Sequence, residues 1–505
     1  MTTNTALRPG TAVGSRPSWL PIRAWSTSRI AVGLGGVAFL VSFAGSWIPS
    51  LWGDEAASVL SAERSLPSLL HMLQSVDAVH GTYYALLHIW IGAFGTSPLS
   101  LRFPSAIAVG FATAGTFVLA EKLFSRRVGL LAGLVCAILP RMTFQGAEAR
   151  SYALSTAAIV WLTVLLVHLV QRRTQHRLAW LGYAAGLALC TYLFLFSALI
   201  VVAHGSYLLS SPGSRTVLKR WLQGVGVAVL LAAPVIVVGV LQHHQIAFLA
   251  HRTRITPELV LVEQWFGKGW LALACWGLIV VAGTFGWSRW RRARSGVWLS
   301  ASWLVLPTAI LLGGSATVVM MYTNRYLSFC APAAAIMIAL GIDALSRTWV
   351  RVAALVCVIA LAAPIWYSQR TEFAKPGGSD WAQVSATMAL VATPGDAVVF
   401  DQSVKPSWRP RLAMRTYPDG FRGLDDVQLR TPWSQTPGLW DSVYPLASLR
   451  SRLTGIPVVW ALETTQTDEK RPDSDLNVLR GDGYTMVQRI LIHRTILYKF
   501  TRSGS

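Results

Sequence analysis

Charged residues are scarce in this sequence. They make up 13% of its 505 residues, whereas about a quarter of the residues in a soluble domain are charged. Hydrophobic residues make up 53%, and the mean hydropathy is +0.47. The shortage of charge excludes an ordinary soluble domain and predicts a protein whose main solvent is the lipid bilayer.

Acidic residues are rarer than basic ones, with 23 Asp and Glu against 44 Lys and Arg. The resulting net charge of +21 would suit nucleic acid if it formed one stripe on a soluble domain. Here the basic residues occur in short clusters between apolar runs, as in the cytoplasmic loops of membrane proteins. We therefore expect the membrane as a partner and no nucleic acid.

Cysteine is also rare. All five cysteines lie within apolar runs, and the polar C-terminal stretch contains none. They are Cys136, Cys190, Cys275, Cys330 and Cys357. This distribution predicts neither a disulfide framework nor a CxxC metal site, and we interpret the cysteines as small core hydrophobes.

Apolar runs that are long enough to cross a membrane, or nearly so, occupy the chain as far as residue 368. About eleven spans are predicted, of which the third and fifth are short. They centre on residues 30–49, 104–120, 128–140, 155–170, 178–190, 194–210, 221–240, 269–286, 297–318, 326–343 and 350–367. The first run is longer than a signal-peptide core, so we interpret it as an uncleaved anchor.

The basic clusters predict the orientation, because Lys and Arg concentrate in cytoplasmic loops. A cluster lies at every turn from an even to an odd span, at residues 122–127, 172–177, 215–220, 289–294 and 347–351. The prediction is a multi-pass protein of the cell (inner or plasma) membrane. It has a cytoplasmic arm (1–29), an all-α membrane domain (30–368) and a chain that continues outside the membrane from residue 369.

Residues 369–505 have ordinary polarity and turn signals such as Pro394-Gly395-Asp396. Short β-rich runs occur at 397–400, 456–462 and 484–500. This composition predicts a small extracytoplasmic α/β domain.

The first outer loop, residues 50–103, holds the first candidate site. Asp54 and Glu55 directly follow the first span, where an acid can act as a general base or bind a cation. The alternative is two solvated loop acids. Residues 83–94 of the same loop are apolar but too short to span, which favours an interfacial or re-entrant helix.

Two arginines mark further candidate sites on the outer side. Arg150 follows the third span, and its guanidinium matches the geometry of phosphate oxygens. A local ion pair with Glu148 is the alternative. Arg325, within Asn324-Arg325-Tyr326, opens the tenth span and either points into a cavity or extends to the membrane interface.

Four motifs in a fixed order carry a family resemblance. WGDEAASV (52–59) is followed by DAVHGTYYALLHIWIGAFGTSPLSLRFPS (77–105), EARSYAL (148–154) and NRYLSFCAP (324–332). They resemble GT-C membrane glycosyltransferases, particularly the branch with protein O-mannosyltransferases and lipid A aminoarabinose transferases. The resemblance covers about residues 28–370. It implies a GT-C fold and a sugar donor carried on polyprenyl phosphate.

The resemblance also implies roles for residues of the first outer loop. The acid that is essential in the family corresponds to Asp54, with Glu55 beside it as a second catalytic candidate. The polar residue before the aromatic run contacts the carrier phosphate in the family, which implies donor binding by His80 and Tyr83. This sequence has His80-Gly81-Thr82 where relatives often carry a basic residue, or a histidine followed by prolines.

Two later pairs complete the implied donor-binding set. Arg150 and Tyr152 match the second outer loop of the family, and Arg325 and Tyr326 match its later arginine–tyrosine pair. The residues indicate no certain cofactor. A divalent metal stays open, because two adjacent acids can hold one.

The predicted topology supports a lipid-linked donor. The cytoplasmic loops are too short for a nucleotide-binding domain, and nucleotide sugars are not expected outside. Transfer then breaks the bond between the anomeric carbon and the lipid phosphate, so negative charge grows on the phosphate and a hydroxyl loses a proton. Arginines stabilise that phosphate, a carboxylate takes the proton, and one direct displacement inverts the anomeric centre.

We therefore expect an inverting glycosyltransferase that moves mannose or another hexose or pentose from polyprenyl phosphate to a lipid, glycan or protein acceptor at the outer face. Two alternatives are a flippase or transporter for a lipid-linked glycan, and a ligase that moves a whole glycan. Few charges lie within the spans and the charged motifs gather on one face, which favours an enzyme over a transporter.

Overall fold

The computed structural model describes residues 26–246, 254–286, 289–467 and 474–502. Most of the predicted cytoplasmic arm lies outside these residues. The helices of the first half, α1 to α11, are Thr27–Phe43, Gly53–Ala62, Leu66–Ser75, Gly81–Phe94, Pro98–Leu123, Arg126–Ile138, Pro140–Gly146, Tyr152–Gln171, Arg177–Leu193, Ile200–Ser210 and Arg215–Leu241. Those of the second half, α12 to α19, are Gly269–Thr284, Arg294–Thr317, Ala331–Ala344, Thr348–Ser368, Trp381–Val391, Arg411–Thr416, Arg450–Leu453 and Asp475–Gly481.

Serine side chains begin several of these helices. Each accepts a hydrogen bond from a backbone N–H of the first turn, which satisfies one of the donors that a helix start leaves unpaired. The serines that cap α1, α3, α5 and α6 in this way are Ser26, Ser65, Ser97 and Ser125. The helices therefore begin close to where the apolar runs begin.

Every predicted apolar run is helical. Among the described residues, six helices are long and apolar enough to cross a membrane, and α6 with α7 makes a seventh if this pair, bent by 57°, is one span. The bend falls at Pro140, whose ring cannot continue the backbone hydrogen bonds of α6. The count of eleven spans stays a prediction, since helices such as α1 and α12 are shorter.

Glycines allow the close packing of α1 on α5. A Cβ on Gly35 would lie 2.9 Å from the Gly110 carbonyl oxygen, and one on Gly110 would lie 2.8 Å from the Gly35 oxygen. Small residues of this kind let two membrane helices approach at backbone distance. The interior of the bundle holds Cys136, Cys190, Cys275 and Cys330 as predicted, but Cys357 is exposed on α15.

The C-terminal part contains a five-stranded sheet with the order β2-β1-β5-β7-β6. The strands β1 to β7 are Ala397–Phe400, Asp425–Asp426, Leu429–Thr431, Ser442–Val443, Val458–Thr464, Tyr484–Leu491 and Thr495–Arg502. β1 pairs in parallel with β2 and β5, whereas β7 is antiparallel to β5 and β6. β3 and β4 form a separate antiparallel pair. The predicted β-rich runs are thus confirmed as β1, β5, β6 and β7.

The C-terminal part packs directly on α2. Ala56 and Leu60 of α2 join the core that Trp381 and Phe400 form in the C-terminal part. At the start of α2 the approach is closest, since a Cβ on Gly53 would lie 2.5 Å from the Ser407 carbonyl oxygen. The segment that carries Asp54 and Glu55 is therefore enclosed between the helical bundle and the sheet.

Arg64 fixes the other end of this contact. Its guanidinium donates hydrogen bonds to the carbonyl oxygens of Thr436, at 3.0 Å, and Gly438, at 2.6 Å. Trp433 donates from Nε1 to the carbonyl oxygen of Leu60 at 3.0 Å. Side chains and backbone from both parts of the chain thus hold α2 in place along its length.

Candidate active site

Asp54 lies in the first turn of α2, where the positive end of the helix dipole favours a carboxylate. Its Oδ2 accepts a hydrogen bond from Nη1 of Arg325 at 2.5 Å. The guanidinium of Arg325 also lies over the ring of Trp52, 4.8 Å from its centroid. The two charged side chains are about a quarter exposed, at 27% and 26%, so the pair borders open space.

The ionisation of Asp54 follows from this pairing. Burial raises the pKa of its carboxyl group, but the guanidiniums of Arg325 and Arg150 lower the pKa by more. The net pKa is below the usual aspartate value. Asp54 is therefore a carboxylate at neutral pH and can accept a proton or a hydrogen bond.

Arg150 approaches Asp54 from another direction. Its Nη1 lies 3.4 Å from the backbone carbonyl oxygen of Asp54, 3.3 Å from Ser58 Oγ and 3.2 Å from the hydroxyl oxygen of Tyr84. Its Nη2 lies 3.1 Å from Nε2 of His80. The structure thus brings Arg150 and Arg325, which are far apart in sequence, to the same aspartate.

His80 is a neutral acceptor in this arrangement. Burial lowers the pKa of its imidazole to about 4, and the charge of Arg150 acts in the same direction. Because a guanidinium only donates, His80 Nε2 accepts from Arg150 and the ring proton lies on Nδ1. Nδ1 is buried without a partner among the described residues. His80 therefore positions Arg150 and adds no positive charge at neutral pH.

Glu55 faces away from Asp54. It is fully buried, and both its carboxylate oxygens accept from Arg102, Oε1 from Nε at 2.7 Å and Oε2 from Nη2 at 2.6 Å. Oε1 also accepts from the backbone N–H of Ala149 at 2.9 Å, and Lys375 Nζ lies 4.0 Å from Oε2. The alternative of two solvated loop acids is therefore wrong for Glu55, which is tied into the protein interior.

Three tyrosines predicted to bind the donor are largely enclosed. Tyr83 is buried in the cluster that α2, α3 and α4 form. Tyr152 and Tyr326 both pack against Phe194, with ring centroids 5.3 Å and 5.4 Å away. The last two tyrosines thus form one aromatic group beside Arg325, whereas Tyr83 belongs to the core of the loop.

Glu148 does not pair with Arg150, so the alternative of a local ion pair for Arg150 is wrong. Its side chain is buried, and neither carboxylate oxygen accepts a hydrogen bond from any residue within the described ranges. Burial raises the pKa of this carboxyl group, and the charges of Lys375 and Arg325 offset the rise only in part. A buried acid without partners tends towards its neutral form.

The charges around Glu148 do not balance. Six cationic side chains lie around the site with five carboxyl groups, of which Glu148 tends to be neutral. They are Arg102, Arg141, Arg150, Arg325, Arg370 and Lys375 against Asp54, Glu55, Asp77, Glu148 and Glu263. Buried charge is costly unless it is paired. The excess of positive charge favours an anionic ligand.

A cavity of about 440 Å³ adjoins Arg325. Its wall comes from α7, from the segment before α12 and from the turn Asn324–Cys330. The lining residues are Pro140, Arg141, Phe144, Glu263, Gly267, Thr323, Asn324, Arg325, Gln369 and Pro376. The sequence allowed two orientations for Arg325, into a cavity or towards the membrane interface. In the structure Arg325 lines the cavity and also contacts Asp54.

Sequence reasoning missed three of these cations. Arg102 lies within the RFPS motif and starts an apolar run, a position where a charged residue usually has a partner or a function. Arg141 gives the same signal directly after Pro140. Lys375 gives no signal, because only the fold brings it within reach of Glu55. The two adjacent acids left a divalent metal site open. Among the described residues, no group of three or more His, Cys, Asp or Glu side chains is placed to hold a metal ion.

The fold resembles that of the GT-C membrane glycosyltransferases, as the four motifs predicted. Residues 82–238 match the family model of dolichyl-phosphate-mannose-protein mannosyltransferases. No significant match is found among curated protein sequences.

Among solved structures, ArnT from Cupriavidus metallidurans bound to undecaprenyl phosphate aligns with 94% of this chain and 98% of its own, at 13% identity and a TM-score of 0.60. Arabinofuranosyltransferase AftD from Mycobacteria aligns with 95% of this chain but 40% of its own, at 16% identity and a TM-score of 0.51. The Archaeoglobus fulgidus oligosaccharyltransferase in complex with Zn and sulfate covers 86% and 67%, at 10% identity and a TM-score of 0.50. At these identities the likeness is one of fold.

Proposed function

We propose that the protein is a glycosyltransferase that moves a sugar from a polyprenyl-phosphate carrier to an acceptor hydroxyl at the outer face of the membrane, with inversion. The observation that carries the proposal is the position of Asp54 between two arginines from distant parts of the chain: its carboxylate accepts from Arg325, and its backbone carbonyl oxygen lies 3.4 Å from Arg150. A proton acceptor next to an excess of positive charge is what the reaction needs.

The leaving phosphate develops charge when the bond to the anomeric carbon breaks. Arg150 and Arg325 supply the donors for this charge, since guanidinium groups match phosphate oxygens and keep their proton. Once the phosphate shares Arg325 with Asp54, the carboxylate loses part of its pairing and becomes more basic. Asp54 then takes the proton of the acceptor hydroxyl, while His80 and Tyr84 hold Arg150 in position.

Two further observations support a lipid-linked donor. The connections predicted to be cytoplasmic, such as 124–125, 172–176 and 345–347, are too short to hold a nucleotide-binding domain. ArnT, whose fold this chain shares over nearly its whole length, has been solved with undecaprenyl phosphate bound. A donor assay in membranes with several polyprenyl-phosphate sugars tests the proposal. Absence of transfer from all of them, together with transfer of whole lipid-linked glycans, would favour the ligase instead.

The orientation of the chain is tested by cysteine labelling. The proposal places Arg291 on the cytoplasmic side and Gly481 outside, because that assignment puts every arginine cluster inside. Cys357, the exposed native cysteine, is first replaced by Ser. A membrane-impermeant thiol reagent applied from outside should then label Gly481→Cys and leave Arg291→Cys unlabelled until the membrane is opened. The reverse pattern would place Asp54 on the wrong side for an outer-face reaction.

Lysine substitutions test the arginine pair. Lys keeps the charge but lacks the fork that donates two hydrogen bonds to one phosphate. Each of Arg150→Lys and Arg325→Lys should weaken donor use by about tenfold, equivalent to one lost charged hydrogen bond. The measurement is the KM for the polyprenyl-phosphate sugar. Arg126→Lys, at a partly exposed pair with Glu121, is the matched control. Unchanged KM values in both variants at normal expression would exclude the hypothesis that Arg150 and Arg325 bind the same phosphate.

A further inference from the structure

The cavity beside Arg325 contains a second cation that the proposed reaction does not use. Arg141 begins the short helix α7 and is 7% exposed. Its Nε donates to the carbonyl oxygen of Gln264 at 2.8 Å, and its Nη2 donates to that of Glu263 at 2.8 Å. These bonds tie α7 to the segment before α12 and orient the guanidinium against the cavity wall.

The charge of Arg141 is in contact with no counter-ion among the described residues. No carboxylate of the described residues lies within 4.0 Å of its guanidinium, although Glu263 also borders the cavity with an exposed side chain. Two of its three nitrogens are used by carbonyl oxygens, and Nη1 makes no hydrogen bond within the described part of the chain. A guanidinium that is buried without an anion is destabilised by the loss of its hydration.

The other polar groups of the cavity suit an oxyanion. Arg325 borders the cavity from the opposite side, and the amide of Asn324 makes no hydrogen bond with a described residue. Gln369 is already engaged, since its Oε1 accepts from Thr143 and Arg370, both at 2.8 Å. Two guanidiniums and one amide that is free to donate match the oxygens of a phosphate or phosphate ester.

We propose that the cavity between Arg141 and Arg325 binds a phosphate-type anion, with Arg141 as a binding residue. The role of Arg325 in this proposal rests on the proposed function, whereas the role of Arg141 does not. The anion has two possible sources, the carrier phosphate of the donor or a phosphate group on the acceptor. In both cases Arg325 connects the occupied cavity to Asp54, because it contacts the carboxylate and lines the cavity.

The test uses purified full-length protein and two probes, undecaprenyl phosphate and inorganic phosphate. Arg141→Gln should weaken binding of a phosphate probe tenfold or more. Arg64→Gln is the matched control, because Arg64 is also buried and also donates to two carbonyl oxygens, but lies far from the cavity. Thermal unfolding of each variant reports whether the loss of the carbonyl contacts alone explains the result. If Arg141→Gln does not fold, Asn324→Asp places a repelling charge in the cavity and should weaken binding in the same way.

The two sources are distinguished by competition. If the carrier phosphate fills the cavity, undecaprenyl phosphate displaces inorganic phosphate and Arg141→Gln weakens both. If the acceptor supplies the anion, inorganic phosphate still binds when undecaprenyl phosphate is saturating, and only that binding depends on Arg141. Affinities within twofold of wild type for both probes in a folded Arg141→Gln variant would overturn the proposal. Phosphate binding that depends on Arg141, without any sugar transfer by the wild type, would refute the proposed function and leave this site intact.

Discussion

Replacing Asp54 with Asn is expected to lower sugar transfer by about a hundredfold or more, the usual effect of losing a positioned general base. The substitution keeps the size of the side chain and removes its ability to take a proton. An acceptor hydroxyl is far too weakly acidic to ionise at neutral pH, so the reaction depends on a base within hydrogen-bond reach. Steady-state transfer by purified protein measures the effect.

Binding of the donor should survive in Asp54→Asn, because Arg150 and Arg325 remain. A small gain in affinity is expected, since Arg325 no longer pairs with a carboxylate. Glu63→Gln is the matched control, as Glu63 is the C-cap of the same helix and its side chain is exposed. Near-normal turnover by Asp54→Asn, with the control unchanged, would exclude Asp54 as the proton acceptor.

The second large effect concerns stability. Arg102→Met should destabilise the protein by about 3–5 kcal/mol, the usual cost of removing one partner of a buried ion pair. Glu55 would be left fully buried without its cation, and the carbonyl oxygens of Ser46 and Pro49, which accept from Arg102 at 2.6 Å and 2.8 Å, would lose a donor. Most folded proteins are stable by only ~5–15 kcal/mol, so the yield of folded protein should fall sharply.

Thermal unfolding in detergent measures this loss. The double variant with Glu55→Met and Arg102→Met should recover part of the stability, because the buried Glu55 carboxylate is removed together with its cation. The recovery is partial, since Lys375 loses the carboxylate that lies 4.0 Å away. Arg126→Met is the control, since its pair with Glu121 is partly exposed and should be worth at most about 1 kcal/mol. An unfolding midpoint that is equal in Arg102→Met and wild type would show that the Glu55–Arg102 pair does not hold the first outer loop.

Much of the fold was predictable because its signals are local. An apolar run of about twenty residues forms a helix in a bilayer whatever surrounds it, and short β-rich runs after residue 369 indicated strands. The helix α7 was not predicted, because the third predicted span ended at residue 140 and the residues after Pro140 were not assigned to a helix. The number of helices that cross the membrane depends on their tilt and on their partners, which no single run contains.

The candidate site divides in the same way. Asp54, Arg150 and Arg325 were predicted from the sequence because a charged residue at the end of an apolar run is energetically unfavourable and usually has a partner or a function. The helix α2 explains why Asp54 and Glu55 point in different directions. Consecutive residues on a helix point about 100° apart, so adjacent acids in the first turn of α2 meet different partners. Lys375 and its contact with Glu55 depend on tertiary structure and could not be inferred.

The contact between α2 and the C-terminal part limits how the chain can be recombined. The backbones of Gly53 and Ser407 are in close contact, and Arg64 donates hydrogen bonds to the carbonyl oxygens of Thr436 and Gly438. A chimera that exchanges the sheet with that of a relative, but keeps the first outer loop, would therefore bring together two surfaces that were never matched. The first outer loop and the C-terminal part are separated by some 300 residues in sequence, but they have to match each other. A functional chimera therefore has to take both from the same protein.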